Sequence, residues 1–225
     1  MSTEPAQPLT LGQVALAARC SLVAQDIANQ GYAVCTEFLP VGDTLALLQR
    51  VQEDQSADQM QAAGVGRGSD FQTNYFVRQD QIRWLQAECA TERSFLTCME
   101  ALRLAVNRAL FMGLFDYEAH FAVYPPGAFY KKHVDAFQGH TNRRLSTVLY
   151  LNFDWQPSDG GELRCYDPVD DQRILFDLTP QAGTLLVFES DRFWHEVLPA
   201  QRHRFSIAGW FRVNMSTGRR ADPAQ

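Results

Sequence analysis

The feature that most constrains the fold is a change of period at Tyr117. Before it, apolar residues recur at helical spacing. After it, eight short runs alternate in strand fashion, near residues 118–125, 129–135, 144–153, 161–167, 172–177, 184–189, 193–199 and 203–213. Turn signals separate them: Pro125-Pro126-Gly127, Ser158-Asp159-Gly160-Gly161, Pro168, Pro180 and Gly183. So many short strands at close spacing must close their edges against one another, and a double-sheet jelly roll does this.

The first half reads as support. Thr10 is placed to cap a helix running to Asn29, with Gly31 ending it. A strand follows at Tyr32 to Thr36. Pro40 and Asp43 open a second helix through about Ala63, and Thr91 and Ser94 start a third through about Met112. The third carries an apolar stripe of Leu96, Met99, Leu102, Leu104, Val106 and Leu110, which suits packing on a sheet. Gly64 to Asp70 is a glycine-rich breaker. It lacks the Lys-Ser/Thr of a phosphate loop, so it reads as a turn. Residues 71–84 read as a hairpin or mobile loop anchored by Tyr75, Phe76 and Trp84. The expected class is α+β: a double-stranded β-helix (jelly roll) core with N-terminal helices packed on one sheet. The expected organisation is a single domain over 1–225, with helical support and loop over 10–116, core over 117–213 and tail over 214–225.

Composition narrows the function. The chain of 225 residues carries 26 acidic and 20 basic side chains, a net charge of −6, which disfavours a nucleic-acid partner. No apolar stretch reaches the roughly 18 residues of a membrane helix. The polar start Met1 to Pro8 does not read as a signal peptide. Five cysteines, none in Cys-X-X-Cys spacing, read as reduced thiols of a cytoplasmic protein.

Within the strand region stand His133, Asp135, His195 and Arg204. Two imidazoles and a carboxylate are the ligand set of a facial iron(II) site with open positions. On a strand, residues two apart share a face, so His133 and Asp135 can address one metal. A lone His-X-Asp is weak evidence, since five histidines and 26 carboxylates would yield roughly 0.6 such pairs by chance. The weight lies in the set: the later His195, then an arginine whose planar fork fits the carboxylate of a dicarboxylic co-substrate. Strand alternation puts Arg204, Ser206, Ala208 and Trp210 on one face, and Val148, Tyr150 and Asn152 on another. Tyr124, Tyr150 and Trp210 thus wall a pocket with Arg204 at its base. His120 reads as a strand residue with a satisfied hydrogen bond, and His140 and His203 as solvated.

As a set, these residues resemble the prolyl 4-hydroxylase branch of the iron(II)- and 2-oxoglutarate-dependent oxygenases, in particular the oxygen-sensing prolyl hydroxylases of animals and their bacterial counterparts. The similar text is Tyr124-Pro125-Pro126-Gly127, Tyr130-Lys131-Lys132-His133-Val134-Asp135, Tyr150-Leu151-Asn152-Phe153-Asp154-Trp155, Gly160-Gly161-Glu162-Leu163-Arg164, Ser190-Asp191-Arg192, His195-Glu196-Val197 and Arg204-Phe205-Ser206-Ile207-Ala208-Gly209-Trp210. The resemblance spans about residues 118–213 and extends weakly to Arg78–Trp84. It implies an oxidoreductase, a dioxygenase in which His133, Asp135 and His195 hold Fe(II). Arg204 binds the distal carboxylate of 2-oxoglutarate, Tyr150 hydrogen-bonds it, and Tyr124 and Trp210 line the pocket. Dioxygen is the second co-substrate, succinate and carbon dioxide are released, and L-ascorbic acid supports activity. Residues 66–84 correspond to the mobile loop that folds over a protein substrate. Asp80 and Arg143 stand where the family places a charge pair tying that loop to the core. The implied client is a protein with an exposed proline, a translation elongation factor being one candidate, with no nucleic-acid or membrane partner. Phe193-Trp194 before His195 is bulkier and more apolar than its counterpart in the animal enzymes.

The alternatives are a hydroxylase of a small molecule such as a free amino acid, a nucleic-acid demethylase and a non-catalytic binding module. The demethylases usually carry a second arginine six residues after the first, where this chain has Trp210. A binding module would have no use for the full ligand set.

Overall fold

The protein is described from a computed structural model, over residues 10–64, 76–136 and 142–214. Helix α1 (Leu11–Gln30) begins on the Thr10 capping box. The Gln13 N–H donates to Thr10 Oγ1 at 3.2 Å, and the Thr10 N–H donates to Gln13 Oε1 at 2.9 Å. Gly31 ends it in the left-handed region, φ 84°. The left-handed backbone is what favours glycine there, while a Cβ would also displace the ends of the Glu189 and Arg192 side chains. Strand β1 (Tyr32–Cys35) follows, then α2 (Val41–Ser56).

Helix α2 ends seven residues before the expected Ala63. Asp58 adopts φ 54°, and Gln61–Ala62 form a short strand β2 paired with β3 (Gln81–Trp84). The polar run Gln52–Gln59 gives no stop signal of its own; pairing with a strand about twenty residues on decides the break. Helix α3 (Ala90–Leu110) packs through Phe95, Met99, Leu102 and Val106, whereas Leu104 of the expected stripe is exposed. No helix among the described residues is long and apolar enough to cross a membrane.

The remaining strands are β4 (Leu114–Tyr124), β5 (Tyr130–His133), β6 (Arg143–Tyr150), β7 (Leu163–Tyr166), β8 (Ile174–Leu178), β9 (Leu185–Glu189), β10 (His195–Val197) and β11 (Arg204–Val213). They correspond one for one to the eight expected runs. The major sheet has the order β1-β9-β6-β11-β4-β3-β2 and the minor sheet β5-β10-β7-β8, with antiparallel pairing throughout. Four strands of each sheet make the jelly roll, and β1, β2 and β3 extend the larger one. Alternation divides β11 cleanly. Phe205, Ile207 and Phe211 join Val23, Ile27, Leu47, Met99 and Leu102 in the core under the helices. Arg204, Ser206 and Trp210 lie on the other face. A second apolar cluster, Tyr150, Leu163, Cys165, Leu186, Phe188 and Phe193, sits between the sheets.

One buried charge cluster ties the helices to the sheet. Arg83 of β3 donates to Asp54 of α2 and, at 2.5 and 3.2 Å, to Glu92 of α3. Arg50 reaches both carboxylates, at 2.7 and 3.3 Å. Replacing Arg83 with Ala leaves two fully buried carboxylates short of a partner. We expect a loss of about 3–5 kcal/mol, read as a lower urea midpoint at unchanged m.

His120 gives a second prediction. It is buried on β4, with Nδ1 3.0 Å from the Phe121 carbonyl. Burial, aided by Arg78, pushes its pKa from 6.5 down to about 4. Between those values the unfolded chain binds the proton and the folded one does not. This contribution is therefore complete above about pH 6.5 and is lost as pH falls toward 4, by at most about 3 kcal/mol. In denaturation series from pH 7 to pH 4, His120→Asn should lose less stability than the parent by roughly that amount. A residual slope stays, because burial lowers His195 in the same direction.

Candidate metal and co-substrate site

Strand β5 lies at the edge of the minor sheet and pairs antiparallel with β10, and the register sets His133 directly opposite His195. Opposed residues share a face, so the two imidazoles meet with ring centroids 4.2 Å apart. His133 Nδ1 donates to the Lys131 carbonyl at 2.7 Å, and His195 Nδ1 to the Phe193 carbonyl at 3.1 Å. These bonds fix the tautomer and leave each Nε2 with its lone pair free toward the site. Burial against Phe188, with the neighbouring His133, pushes His195 down to about 4, so its ring is neutral at pH 7.

Asp135 reaches the same point by a different route from the one its spacing suggests. Strand β5 stops at His133, because its partner β10 begins at His195 and offers nothing opposite Val134 and Asp135. Strand alternation therefore does not aim this carboxylate. Its Oδ1 lies 3.5 Å from His133 Nε2 and its Oδ2 3.9 Å from His195 Nε2. Burial works to raise its pKa, but the two histidines and a hydrogen bond from Ser146 outweigh that and hold it well below the usual carboxylate range. Among the described residues, His133, Asp135 and His195 are the group of His, Cys, Asp or Glu side chains able to hold a metal, with ligand atoms all within 4.8 Å of one another. Two imidazole nitrogens and one ionised carboxylate fit a ferrous ion with open positions.

Arg204 opens β11 and is 1% exposed. Nε donates to the Gly161 carbonyl at 2.9 Å and Nη1 to Ser206 Oγ at 3.3 Å. Tyr124 and Tyr150 flank it, each ring centroid 5.1 Å from Cζ. The Arg204 Nη2 and the Tyr150 hydroxyl are buried with no hydrogen-bond partner. Burial pushes the Tyr150 phenol up to about 12 against the lowering effect of Arg204, so it remains a donor. A guanidinium edge and a phenol donor, both buried and unmatched, fit a carboxylate between them. Gly161 permits this arrangement: at φ 72°, a side chain there would meet Ala200, Trp155 and the Arg204 stem.

Trp210, expected only as a wall, donates its indole N–H to Asp135 Oδ2 at 3.0 Å. The Asp80–Arg143 pair is corrected. Arg78, two residues before Asp80, forks onto its carboxylate at 2.7 and 2.6 Å. Arg143 binds Glu118 at 2.9 Å and lies 3.5 Å over the Trp210 ring. A bidentate partner close in sequence wins Asp80, and the β6–β11–β4 register delivers Glu118 to Arg143. Of the anticipated substrate loop, residues 66–75 lie outside the described residues. The segment after it runs along β5: the Gln79 N–H donates to the Phe129 carbonyl and the Lys131 N–H to the Val77 carbonyl. Arg78 also stacks over Tyr130, 4.4 Å from its centroid, and Tyr130 stacks on His133 at 3.6 Å.

Sequence reasoning missed Ser146 and Ser190. Ser146 Oγ donates to Asp135 Oδ2 at 2.6 Å and lies 2.9 Å from Ser190 Oγ. Alternation along β6 held the signal for the first, since Ser146 shares a face with Val148 and Tyr150. Ser190 sits in the turn after β9, and no periodicity points to it.

Comparison with known proteins agrees with this geometry. A family model described as the 2OG-Fe(II) oxygenase superfamily matches residues 119–212. The crystal structure of a Pseudomonas putida prolyl-4-hydroxylase is 41% identical, with a TM-score of 0.79, covering 86% of this chain and 98% of that one. A Trichoplax adhaerens prolyl hydroxylase, solved with a hypoxia-inducible factor peptide fragment, shares the fold at 22% identity and TM-score 0.80, over 92% of this chain and 94% of that one. The hypoxia-inducible factor prolyl hydroxylase of Caenorhabditis elegans is 32% identical over 150 residues, 60% of this chain; the match spans 20% of that relative's length.

Proposed function

This chain belongs to the iron(II)- and 2-oxoglutarate-dependent oxygenases, in the prolyl 4-hydroxylase family, and from that membership we propose that it hydroxylates a prolyl residue exposed on a protein. The observation that carries the reading is the pairing of a His-Asp-His cluster with a wholly buried arginine whose Nη2 is unmatched beside an unmatched tyrosine hydroxyl. A buried guanidinium without an anion is costly, and a dicarboxylate that chelates a metal at one end and meets Arg204 at the other resolves both needs.

In this reading His133, Asp135 and His195 would hold iron, the two histidines through Nε2. Iron with 2-oxoglutarate supplies the activation of dioxygen, yielding succinate, carbon dioxide and a hydroxylated prolyl carbon. Arg204 and Tyr150 hold the distal carboxylate, Tyr124 covers the guanidinium, and the apolar wall around Phe188 limits water. Trp210 lines the mouth and steadies Asp135. Asp80, through Arg78, braces the segment 76–84 against β5, and Arg143 stands at the rim beside Trp210. The Trichoplax complex supports a protein client, since that relative was solved with a bound peptide. A translation elongation factor is one client to test. Ascorbate as a supporting reductant, cytoplasmic location and a single catalytic domain over 1–225 complete the proposal.

Incubation with iron(II), 2-oxoglutarate, ascorbate and cell extract, followed by mass spectrometry, should reveal hydroxyproline at a defined protein site. Turnover of free proline with no protein hydroxylated would instead favour the small-molecule reading. Arg204→Lys removes the fork, and we expect kcat/KM for 2-oxoglutarate to fall on the order of 100-fold, about 3 kcal/mol. Tyr150→Phe should raise KM for 2-oxoglutarate on the order of 10-fold, with less effect on kcat.

A further inference from the structure

Asp135 is the one member of the cluster that no strand holds. The chain leaves β5 at His133, and the carboxylate is directed instead by a set of buried donors. Ser146 is 1% exposed and Ser190 is 0% exposed. Ser146 Oγ–H donates to Asp135 Oδ2 at 2.6 Å. Ser146 Oγ also lies 2.9 Å from Ser190 Oγ, so the two buried hydroxyls hold each other beside the carboxylate. The result is a linked set of Ser190, Ser146 and Asp135. Ser190 also grips the same segment through its backbone, since the Ala136 N–H donates to the Ser190 carbonyl at 3.1 Å. The Trp210 indole supplies the second donor to Oδ2 at 3.0 Å. Both lone pairs of Oδ2 are then filled, and Oδ1 is the oxygen left for a metal.

We propose that Ser146 and Ser190 are positioning residues that fix Asp135 as a one-oxygen ligand, standing in for the strand register that stops at His133. The inference rests on the reading of His133, Asp135 and His195 as the iron site. Without these donors the carboxylate can turn about χ2 and would offer both oxygens to a metal, or it can swing away. Either outcome lowers the fit of the site. Partners of this kind, one bond removed from the metal, typically alter affinity 10- to 100-fold.

The test is Mn(II) binding by the full chain, read by electron paramagnetic resonance, for the parent, Ser146→Ala, Ser146→Thr and Ser190→Ala. Ser146→Ala should weaken Mn(II) on the order of 10- to 100-fold, and Ser190→Ala on the order of threefold to 10-fold. Ser146→Thr keeps the hydroxyl and should stay within about threefold of the parent. The KM for iron(II) should rise with the Mn(II) dissociation constant, while the KM for a prolyl substrate stays unchanged. That split separates positioning from general loosening. Mn(II) affinity of Ser146→Ala within twofold of the parent overturns the proposal. If Ser146→Ala does not fold, Ser190→Ala decides, and parental affinity there overturns it equally. A parent that binds no Mn(II) refutes the iron-site reading itself, a different result from one in which all four proteins bind alike.

Discussion

The register between β5 and β10 is the constraint on which the site depends. It sets His133 opposite His195 across a short antiparallel ladder at the edge of the minor sheet. A slip of one residue would turn one imidazole to the outer face and abolish the cluster. That register is secured from both sides. Strand β7 pairs with the far edge of β10, with Cys165 opposite His195. Residues 77–79 run along the near edge of β5, so the metal-side strand is not an exposed edge.

Electrostatics complete what register begins. A wholly buried cation at Arg204 is tolerated because the carbonyl of Gly161 and the hydroxyl of Ser206 each take one N–H and two tyrosine rings face the guanidinium. These contacts stop short of neutralising it. The remaining demand for an anion is a property of the folded protein, created by packing that buries Nη2 and the Tyr150 hydroxyl without a hydrogen-bond partner. The metal cluster shows the opposite bias. Burial holds His195 neutral, both Nδ1 atoms are tied to backbone carbonyls, and the carboxylate is held ionised. One end of the site is prepared for a cation and the other for an anion, as a chelating dicarboxylate requires.

The strap from Phe76 to Trp84 joins the two sheets. It lies along β5 at one end and becomes β3 of the major sheet at the other. Arg83 roots it in the helices, and Arg78 closes its base by reaching both Asp80 and the carbonyl of Gly64. The stack of Arg78 on Tyr130 and of Tyr130 on His133 places this strap in contact with the metal cluster. Helical support, strap and site are thus mechanically continuous.

Much of this was legible in the chain. The switch of period at Tyr117, the turns between the eight runs and the Thr10 and Gly31 caps are local signals, each set by backbone preference or side-chain spacing, and the elements follow them closely. The roster His133, Asp135, His195, Arg204, Tyr150 and Tyr124 could be read because these residue types stand together on strand-like runs as a ligand and anchor set, although alternation does not aim Asp135. The end of α2, the stop of β5 before Asp135, the partners of Asp80 and Arg143, and the roles of Ser146, Ser190 and the Trp210 indole could not. Each of these depends on which side chain from a distant segment arrives within hydrogen-bonding reach, and spacing along one strand carries no record of that. Residue type and period by themselves determined the strands and the donors. Only the tertiary structure decided which donor each acceptor meets, because long-range pairing fixes positions to a fraction of an ångström and a hydrogen bond tolerates little more.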